Sequence, residues 1–455
     1  MKNPDRQVLQ IDIPNGAREI MELLLENGYE SYIVGGSVRD ALMGKLPNDW
    51  DICTSAYPEK VMEIMRPFYV IPTGLKHGTV TVVRDGKPYE VTTFRVDGDY
   101  LDFRKPEDVI FVSDVKEDLA RRDFTINAIA YNNRDGLVDP YSGLNDIKAG
   151  VVRAVGSPKD RFNEDALRIL RGLRFASRLG FKIEDATGEA IKSNAHLLER
   201  ISAERIRDEF SRILMGDYGT DILREYRDVI AVFLPEIKEM FDLNQKNKFH
   251  IYDVWEHTLH VVDAVPKNII LKLAGFFHDI GKPRCLFIED GVGHFYGHEK
   301  LSSDIADDIM KRLKYDNITR EKVTGTIKNH MIIFNPESRQ PNRLLNRMGE
   351  ENLKLLIELE KADVNSQNPK FAQERLENIQ NFKDRVDEII AEGDCFSIKD
   401  MKINGRDIIA MGVPEGRFIG EILQTLMDKV LEGEIDNQRE MLINEGKKIK
   451  SNLMD

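Results

Sequence analysis

The sequence is poor in the residues that build disulfide frameworks, thiolate metal sites and membrane spans. Three cysteines among 455 residues, Cys53, Cys285 and Cys395, are too few and too scattered for a disulfide scaffold or a Cys-based zinc site. They suit a reducing compartment and point to a cytoplasmic protein. No apolar run approaches the ~20 residues of a membrane-spanning helix. The opening stretch MKNPDRQVLQIDIP lacks the apolar core of a signal peptide. Basic residues are the minority: 65 Lys and Arg against 78 Asp and Glu leave a net charge of −13, which at first sight disfavours a nucleic-acid partner. The excess is unevenly spread. Between 153 and 178 seven basic residues face three acidic ones, whereas from 371 to 455 twelve face eighteen. A local basic surface can therefore bind phosphate while the remainder keeps the chain soluble. At roughly 100–200 residues per domain the length implies about three domains.

Residues 1–150 read as α/β. A helix over 17–26 leads to Tyr32-Ile33-Val34 and then Gly35-Gly36, followed by a helix-like segment over 37–43. Two β-branched or alternating runs, 78–83 and 88–94, flank Asp85-Gly86, which predicts a hairpin. Residues 95–115 are polar and Asp-rich and read as a long loop, a class that is often functional. From about 158 the apolar spacing turns helical, over 163–179 and 203–214, and stays so.

The first chemistry-bearing constellation is Val34-Gly-Gly-Ser-Val-Arg-Asp40 with Asp49-Trp-Asp51. A strand, two glycines and a helix bring backbone amides to a phosphate, with Arg39 on the first turn to pair with its oxygens. Asp49 and Asp51, at i and i+2 of an extended segment, share one face. Two such carboxylates repel unless a cation lies between them, and Mg2+ is the natural cation for triphosphate chemistry. Glu90 supplies a third carboxylate from the later hairpin strand. A lone GG pair is a turn more often than a phosphate site, and a lone DxD is often surface charge; GGxxRD followed by DxD is far more specific.

This combination resembles the polymerase-β-type nucleotidyltransferases, and within them the bacterial class II tRNA nucleotidyltransferases (CCA-adding enzymes) and their relatives the bacterial poly(A) polymerases. Arg121-Arg-Asp-Phe-Thr-Ile-Asn127, Glu164-Asp-Ala-Leu-Arg-Ile-Leu-Arg171 and Ala203-Glu-Arg-Ile-Arg207 match three further motifs. The resemblance implies a Mg2+-dependent enzyme that adds CCA to the 3′ end of tRNA from CTP and ATP. Asp49 and Asp51 would hold the metal, Glu90 would assist, and Gly36 and Arg39 would hold the triphosphate. Asp123 and Asn127 would meet the ribose. The loop with Arg95-Val-Asp97 favours full CCA addition over CC-only addition, and A-only addition stays open.

Asp165, Arg168, Arg171 and Arg174 recur every three residues on what reads as one helix, beside Leu167, Leu170 and Leu173. Cytosine and adenine both show an amino donor beside a ring-nitrogen acceptor, which a carboxylate and a guanidinium complement; guanine and uracil oppose them. Asp165 with Arg168 therefore reads as a protein template. The resemblance adds Arg122, Arg171 and Arg174 as nucleotide contacts. The plainer alternative is a solvated basic helix face.

A second constellation holds His257, His278-Asp279, His298, His330 and Asp363. Imidazole and carboxylate suit a divalent transition metal. The order resembles the HD metal-dependent phosphohydrolases: His257, His278, Asp279 and Asp363 match the four-ligand core, and His298 and His330 match the extra ligands of a two-metal form. His77, His250, His260 and His294 read as packing or surface residues.

The expected class is α+β: a nucleotidyltransferase head with a small mixed sheet, then all-helical domains that include an HD domain. The boundaries are 1–150 for the head, 151–245 for base and RNA binding, 246–370 for the HD domain and 371–455 for a helical tail expected to contact tRNA, with RNA contacts by shape and backbone over the central helical region. The competitors are a poly(A) polymerase or A-adding enzyme, and a phosphohydrolase whose transferase half only binds RNA.

Overall fold

The segments with period-two patterning assemble into one seven-stranded mixed sheet. A computed structural model of the protein describes residues 10–97, 109–392 and 397–454, which form two compact units, Met1–Pro235 and Glu236–Asp455. Cys395 lies outside the described residues.

In the first unit the strands are β1 (Ser31–Val34), β2 (Ile52–Thr54), β3 (Tyr69–Gly74), β4 (Thr79–Arg84), β5 (Lys87–Thr93), β6 (Arg95–Asp97), β7 (Val109–Phe111), β8 (Ala130–Asn132) and β9 (Gly136–Val138), with a separate short parallel pair, β10 (Val151–Val152) and β11 (Lys182–Ile183). The sheet runs β3-β4-β5-β2-β1-β8-β9. Within it only β2 and β5 pair in parallel; the other neighbours are antiparallel. The β4–β5 hairpin turns on Asp85 and Gly86, with φ of 51° and 72°, the left-handed pair a tight hairpin requires.

The structure corrects the loop expected over 95–115 at both ends. Arg95–Asp97 and Val109–Phe111 pair as a two-stranded ribbon, and a helix begins at Val115 with Asp114 capping it. Residues 98–108, the centre of the expected loop, lie outside the described residues.

The single helix expected over 163–179 is also corrected. It is two helices, Pro158–Glu164 and Leu167–Leu179, broken at Asp165, whose backbone is extended (φ −138°, ψ 103°). The carboxylate of Asp165 accepts the Leu167 amide at 3.1 Å, so it caps the second helix and is not a member of it. Leu170 and Leu173 are fully buried and Leu167 nearly so, which docks this helix. Phe124 completes the contact, edge-on to Phe175 at 5.7 Å. Truncating a fully buried Phe of this kind costs about 3–5 kcal/mol.

In the second unit the histidines and aspartates come from Val254–Ala264, Ile269–Phe277, His298–Arg312, Asn317–Asn329 and Glu350–Asn365, or from the residues just past their ends. The long helix Pro369–Glu392 follows. The tail forms its own small core around Ile403, Ile408, Ile422, Leu426 and Leu442. Its Gly-punctuated turn is a capping box: Asn404 accepts from the start of Gly405–Ala410 while Asp407 bonds back.

Candidate active sites

Sheet register assembles the first site. Ile52 of β2 lies opposite Val91 of β5, so Asp51 and Glu90, each one residue earlier on parallel strands, stand side by side. The Asp51 carbonyl accepts the Val34 amide at 3.0 Å, which fixes the Asp segment against the end of β1 and its glycine turn. Gly35 has φ of +76°, and a Cβ there would meet Arg122 Nη1 at 3.1 Å, so a side chain would be both strained and crowded.

Asp51 is open to solvent on one side, but the protein around it still pushes its carboxyl pKa up, first by desolvation and then through the charges of Glu90 and Asp49; Arg122 opposes them. Among the described residues none of the three carboxylates has an ion pair. Carboxylates in this arrangement suit a hard divalent ion such as Mg2+, although their oxygens are not gathered as tightly as those of the buried cluster in the second unit. Arg122 is itself held by Asp118, which is fully buried and also takes Arg121.

Arg39 is placed differently from the expectation. It is buried; Nη1 donates to Asn127 Oδ1 at 2.6 Å, and Nε and Nη2 donate to Asp40 Oδ1 at 2.8 and 2.7 Å. Its donors serve neighbouring side chains, because Asp40 is adjacent and Asn127 faces the helix. Asn127 Nδ2 in turn donates to Asp123 Oδ1 at 3.3 Å, and Arg171 Nε to Asp123 Oδ2 at 2.7 Å. Arg171 and the Asn127 bond outweigh the desolvation of Asp123 and hold its carboxyl down at about 2.

Asp165 and Arg168, expected together to read the base, have different partners in the structure. Asp165 Oδ2 accepts Arg205 Nη2 at 2.8 Å. Arg168 is buried, donating to Glu164 Oε2 at 2.5 Å and to the carbonyls of Arg161 and Arg121. Arg174 pairs with Glu209 at 2.7 Å and covers the Phe175 ring at 4.4 Å; desolvation lowers its pKa to about 10. The basic stripe is thus not the solvated face of the plainer alternative: Arg168 and Arg174 are turned inward and ion-paired. Arg205 and Glu209, one helical turn apart on Ala203–Leu214, are its counterparts, and only the spacing of their motif hints at them.

In the second unit all six expected residues converge and all are buried. His257, His278 and Asp279 form one potential metal triad, and Asp279, His298 and His330 a second that shares Asp279. His257 Nε2 lies 2.9 Å from Asp363 Oδ1, His278 Nε2 3.1 Å from Asp279 Oδ2, and His298 Nε2 3.3 Å from Asp279 Oδ1. Each imidazole turns Nδ1 to a backbone carbonyl: Ser366, Gly275, Phe295 and Ile327, at 3.3, 2.8, 2.7 and 2.6 Å. That leaves four Nε2 atoms aimed inward, the orientation that outer-shell partners give to metal-binding histidines. His257 Nε2, His278 Nε2 and both Asp279 oxygens are buried without a hydrogen-bond partner. His298 Nε2 and His330 Nε2 face each other at 3.2 Å, where two lone pairs need a cation or proton between them. The donors therefore fit an imidazole-binding divalent metal better than Mg2+.

Burial opposes charge on His278, yet Asp279 raises its pKa; on His330 burial and the His278 charge prevail and lower it to about 3. Sequence reasoning missed Lys282, whose Nζ lies 2.7 Å from Asp279 Oδ2 and 2.9 Å from Gln245 Oε1. Its i+3 spacing from Asp279 is a readable signal. Gln367, which donates to both Asp363 oxygens at 3.1 Å, and Arg375 were also missed. His250, expected to be a packing or surface residue, is half-buried, its ring edge-on to His257 at 4.9 Å.

Comparison with known proteins gives the family. The family model "Poly A polymerase head domain" matches residues 31–153, "Probable RNA and SrmB- binding site of polymerase A" matches 180–241, and a "tRNA nucleotidyltransferase domain 2" model matches 296–445. A CCA-adding enzyme of Ligilactobacillus salivarius is 33% identical over 438 residues, covering 95% of this chain and 96% of that protein. One of Bacillus mycoides is 35% identical over 426 residues, covering 93% and 96%. The crystal structure of the Bacillus stearothermophilus CCA-adding enzyme in complex with CTP superposes with a TM-score of 0.69 at 29% identity, covering 96% of this chain and 98% of that one.

Proposed function

Because this chain belongs to the CCA-adding enzyme family, we propose that it completes the 3′ end of tRNA with CMP, CMP and AMP taken from CTP and ATP. It is a nucleotidyltransferase, and it would work without a nucleic-acid template. The observation that supports this reading is the parallel register that sets Asp51 beside Glu90 next to the glycine turn, where the charges of Glu90, Asp49 and Arg122 all act on Asp51.

Asp49 and Asp51 would hold Mg2+, which when bound supplies charge neutralisation for the triphosphate. Glu90 stands beside them to take the proton of the attacking 3′ hydroxyl. The new oxygen–phosphorus bond forms at the α-phosphate as the α–β bridge breaks, and pyrophosphate leaves. Gly36 lets the backbone approach the phosphates. Arg39 acts through Asn127 to keep Asp123 aligned for the ribose. Asp165 and Arg168 read the base, with Arg205 orienting Asp165, and Arg122, Arg171 and Arg174 contribute further nucleotide contacts. Residues 1–150 carry the transfer chemistry, 151–245 base selection, and the tail beyond 371 tRNA contacts. The test is tRNA lacking its three terminal nucleotides. With CTP alone the protein is expected to add two cytidines, and with ATP afterwards one adenosine. Addition of adenosines only would convert the reading to an A-adding or poly(A) enzyme. Asp49→Ala or Asp51→Ala is expected to lower addition by at least about a thousandfold while leaving the fold intact.

A second activity is supported by the four inward Nε2 atoms around Asp279. We read residues 246–370 as an HD-type phosphohydrolase, with His257, His278, His298, His330, Asp279 and Asp363 holding one or two transition-metal ions. Such ions supply an activated water for attack on a phosphoester. Nδ1 bonds keep the four rings oriented, and Lys282 offsets the charge of Asp279. Damaged RNA ends bearing 2′,3′-cyclic phosphate are the substrate class. His278→Ala with Asp279→Ala is expected to abolish hydrolysis and spare CCA addition, and Asp49→Ala with Asp51→Ala the reverse.

A further inference from the structure

Phe175, on the helix Leu167–Leu179, is a buried apolar residue on which three guanidiniums gather. The Cζ atoms of Arg39, Arg171 and Arg174 lie 5.4, 5.6 and 4.4 Å from the centre of its ring. All three fall inside the ~6 Å over which an aromatic face attracts a cation. They come from two elements. Arg39 belongs to Gly36–Leu42, directly after the glycine turn, and Arg171 and Arg174 belong to the helix that follows Asp165. The ring is only 6% exposed, and Phe124 packs against it at 77°. Away from water such a contact is stronger than at a surface, because less hydration competes with the ring for the cation.

Three like charges around one ring repel each other. The repulsion is visible at Arg174, where desolvation and the Arg171 charge bring the pKa down to about 10 in spite of Glu209. Each guanidinium has its own carboxylate: Asp40 for Arg39, Asp123 for Arg171 and Glu209 for Arg174. These carboxylates stand on three separate segments, so ion pairing alone does not gather the cations. Among the described residues the Phe175 ring is what all three have in common. Nη1 of Arg171 and both Nη atoms of Arg174 donate no hydrogen bond within the described residues. They are donors left for the oxygens of a bound anion.

Resting on the transferase reading of the first unit, we propose that Phe175 is a positioning residue for nucleotide binding, its ring holding Arg39, Arg171 and Arg174 together so that the donors of Arg171 and Arg174 are in place before a nucleoside triphosphate arrives. The alternative role for a buried phenyl ring is packing, and fluorine separates the two. Full-length protein is prepared with mono-, di- and trifluorophenylalanine at position 175. Each fluorine drains negative charge from the ring face and changes its size little. Affinity for CTP and for ATP is read by calorimetric titration in Mg2+, and addition to tRNA lacking its three terminal nucleotides is read in parallel. Both dissociation constants are expected to rise stepwise with fluorine number and to reach about tenfold in the trifluoro protein. Melting of Met1–Pro235 is expected to move by about two degrees or less. Phe175→Leu is expected to lose at least as much affinity as the trifluoro protein. Arg171→Gln and Arg174→Gln are each expected to weaken both nucleotides about tenfold. A flat fluorine series beside weakened Arg171→Gln and Arg174→Gln overturns the proposal and leaves the nucleotide contacts standing. Native affinity in both arginine variants, or no binding of either nucleotide by the native protein, overturns those contacts and the proposal with them. A graded fluorine series in a protein that adds only adenosines sustains the proposal and overturns CCA addition.

Discussion

Asp123 shows how single side chains in the head are held. It accepts Arg171 and Asn127, and its carboxyl sits at about 2, below the ~3.9 of an unfolded chain. A depressed carboxyl stabilises the folded state wherever it is ionised in both states. The contribution is full above about pH 5, falls as the unfolded chain begins to bind protons, and is lost as pH drops through 2. Its size is about 2 kcal/mol. Asp123→Asn is expected to lower stability by that amount at pH 7 in urea denaturation. The gap to the native protein should shrink to about half by pH 3. A constant gap across that range would mean that shape, not charge, holds the position. At this scale the sequence is informative where chemistry demands residue types in fixed order: Asp49, Asp51 and the six buried histidines and aspartates of the second unit could all be named, the six from the order they share with the HD pattern. It is uninformative about who pairs with whom. Nothing local says that Asp165 turns to Arg205 or that Arg39 braces Asn127, because those choices depend on partners that only the fold delivers.

Elements decide how those residues meet. β2 and β5 run parallel, and that one pairing sets Asp51 beside Glu90; period-two patterning predicts the strands but not their order. The break at Asp165 was likewise hidden, since apolar spacing continues through it and the reason for the break, a carboxylate capping its own downstream amide, leaves no periodic trace. The consequence is functional. Asp165 sits at a helix start, steered by Arg205 from the helix Ala203–Leu214, whereas Arg168 is locked into the helix behind it. Arg205→Gln removes the steering bond without touching the buried face, since Arg205 is 31% exposed and Leu170 and Phe210 hold the helices together. Thermal stability is expected to change by about 1 kcal/mol or less, the scale of a partly exposed ion pair. Selection is expected to suffer more: misincorporation of UMP or GMP relative to CMP should rise about tenfold in single-nucleotide assays. Unchanged selectivity would separate Asp165 from base reading.

At the scale of the whole chain, the two units face opposite electrostatic problems, and each has its own solution. In the head, the three carboxylates are partly solvated, so the unit tolerates their repulsion without an ion and a cation is needed chiefly for chemistry. In the second unit, Asp279 and four imidazoles are removed from water, with unpartnered acceptor atoms directed at one another. Burying unpaired polar groups costs roughly 1–3 kcal/mol each, a cost that Lys282 offsets only at one oxygen. A metal ion bound there stabilises the folded unit by RT ln(1 + [L]/Kd), about 4 kcal/mol at a thousandfold excess over Kd. Loading with Mn2+ or Ni2+ and then removing the ion with a chelator is therefore expected to move one calorimetric transition, that of Glu236–Asp455, by several degrees. The transition of Met1–Pro235 should stay within about one degree. His278→Ala should lower the metal-free transition, because it empties a fully buried site and takes a partner from Asp279, and should abolish the shift on metal addition. If both transitions move together, the ion is binding to the molecule as a whole. If neither moves, the buried nitrogens around Asp279 are satisfied by protons, and the second unit is a scaffold in which an ancestral hydrolytic geometry persists without its metal.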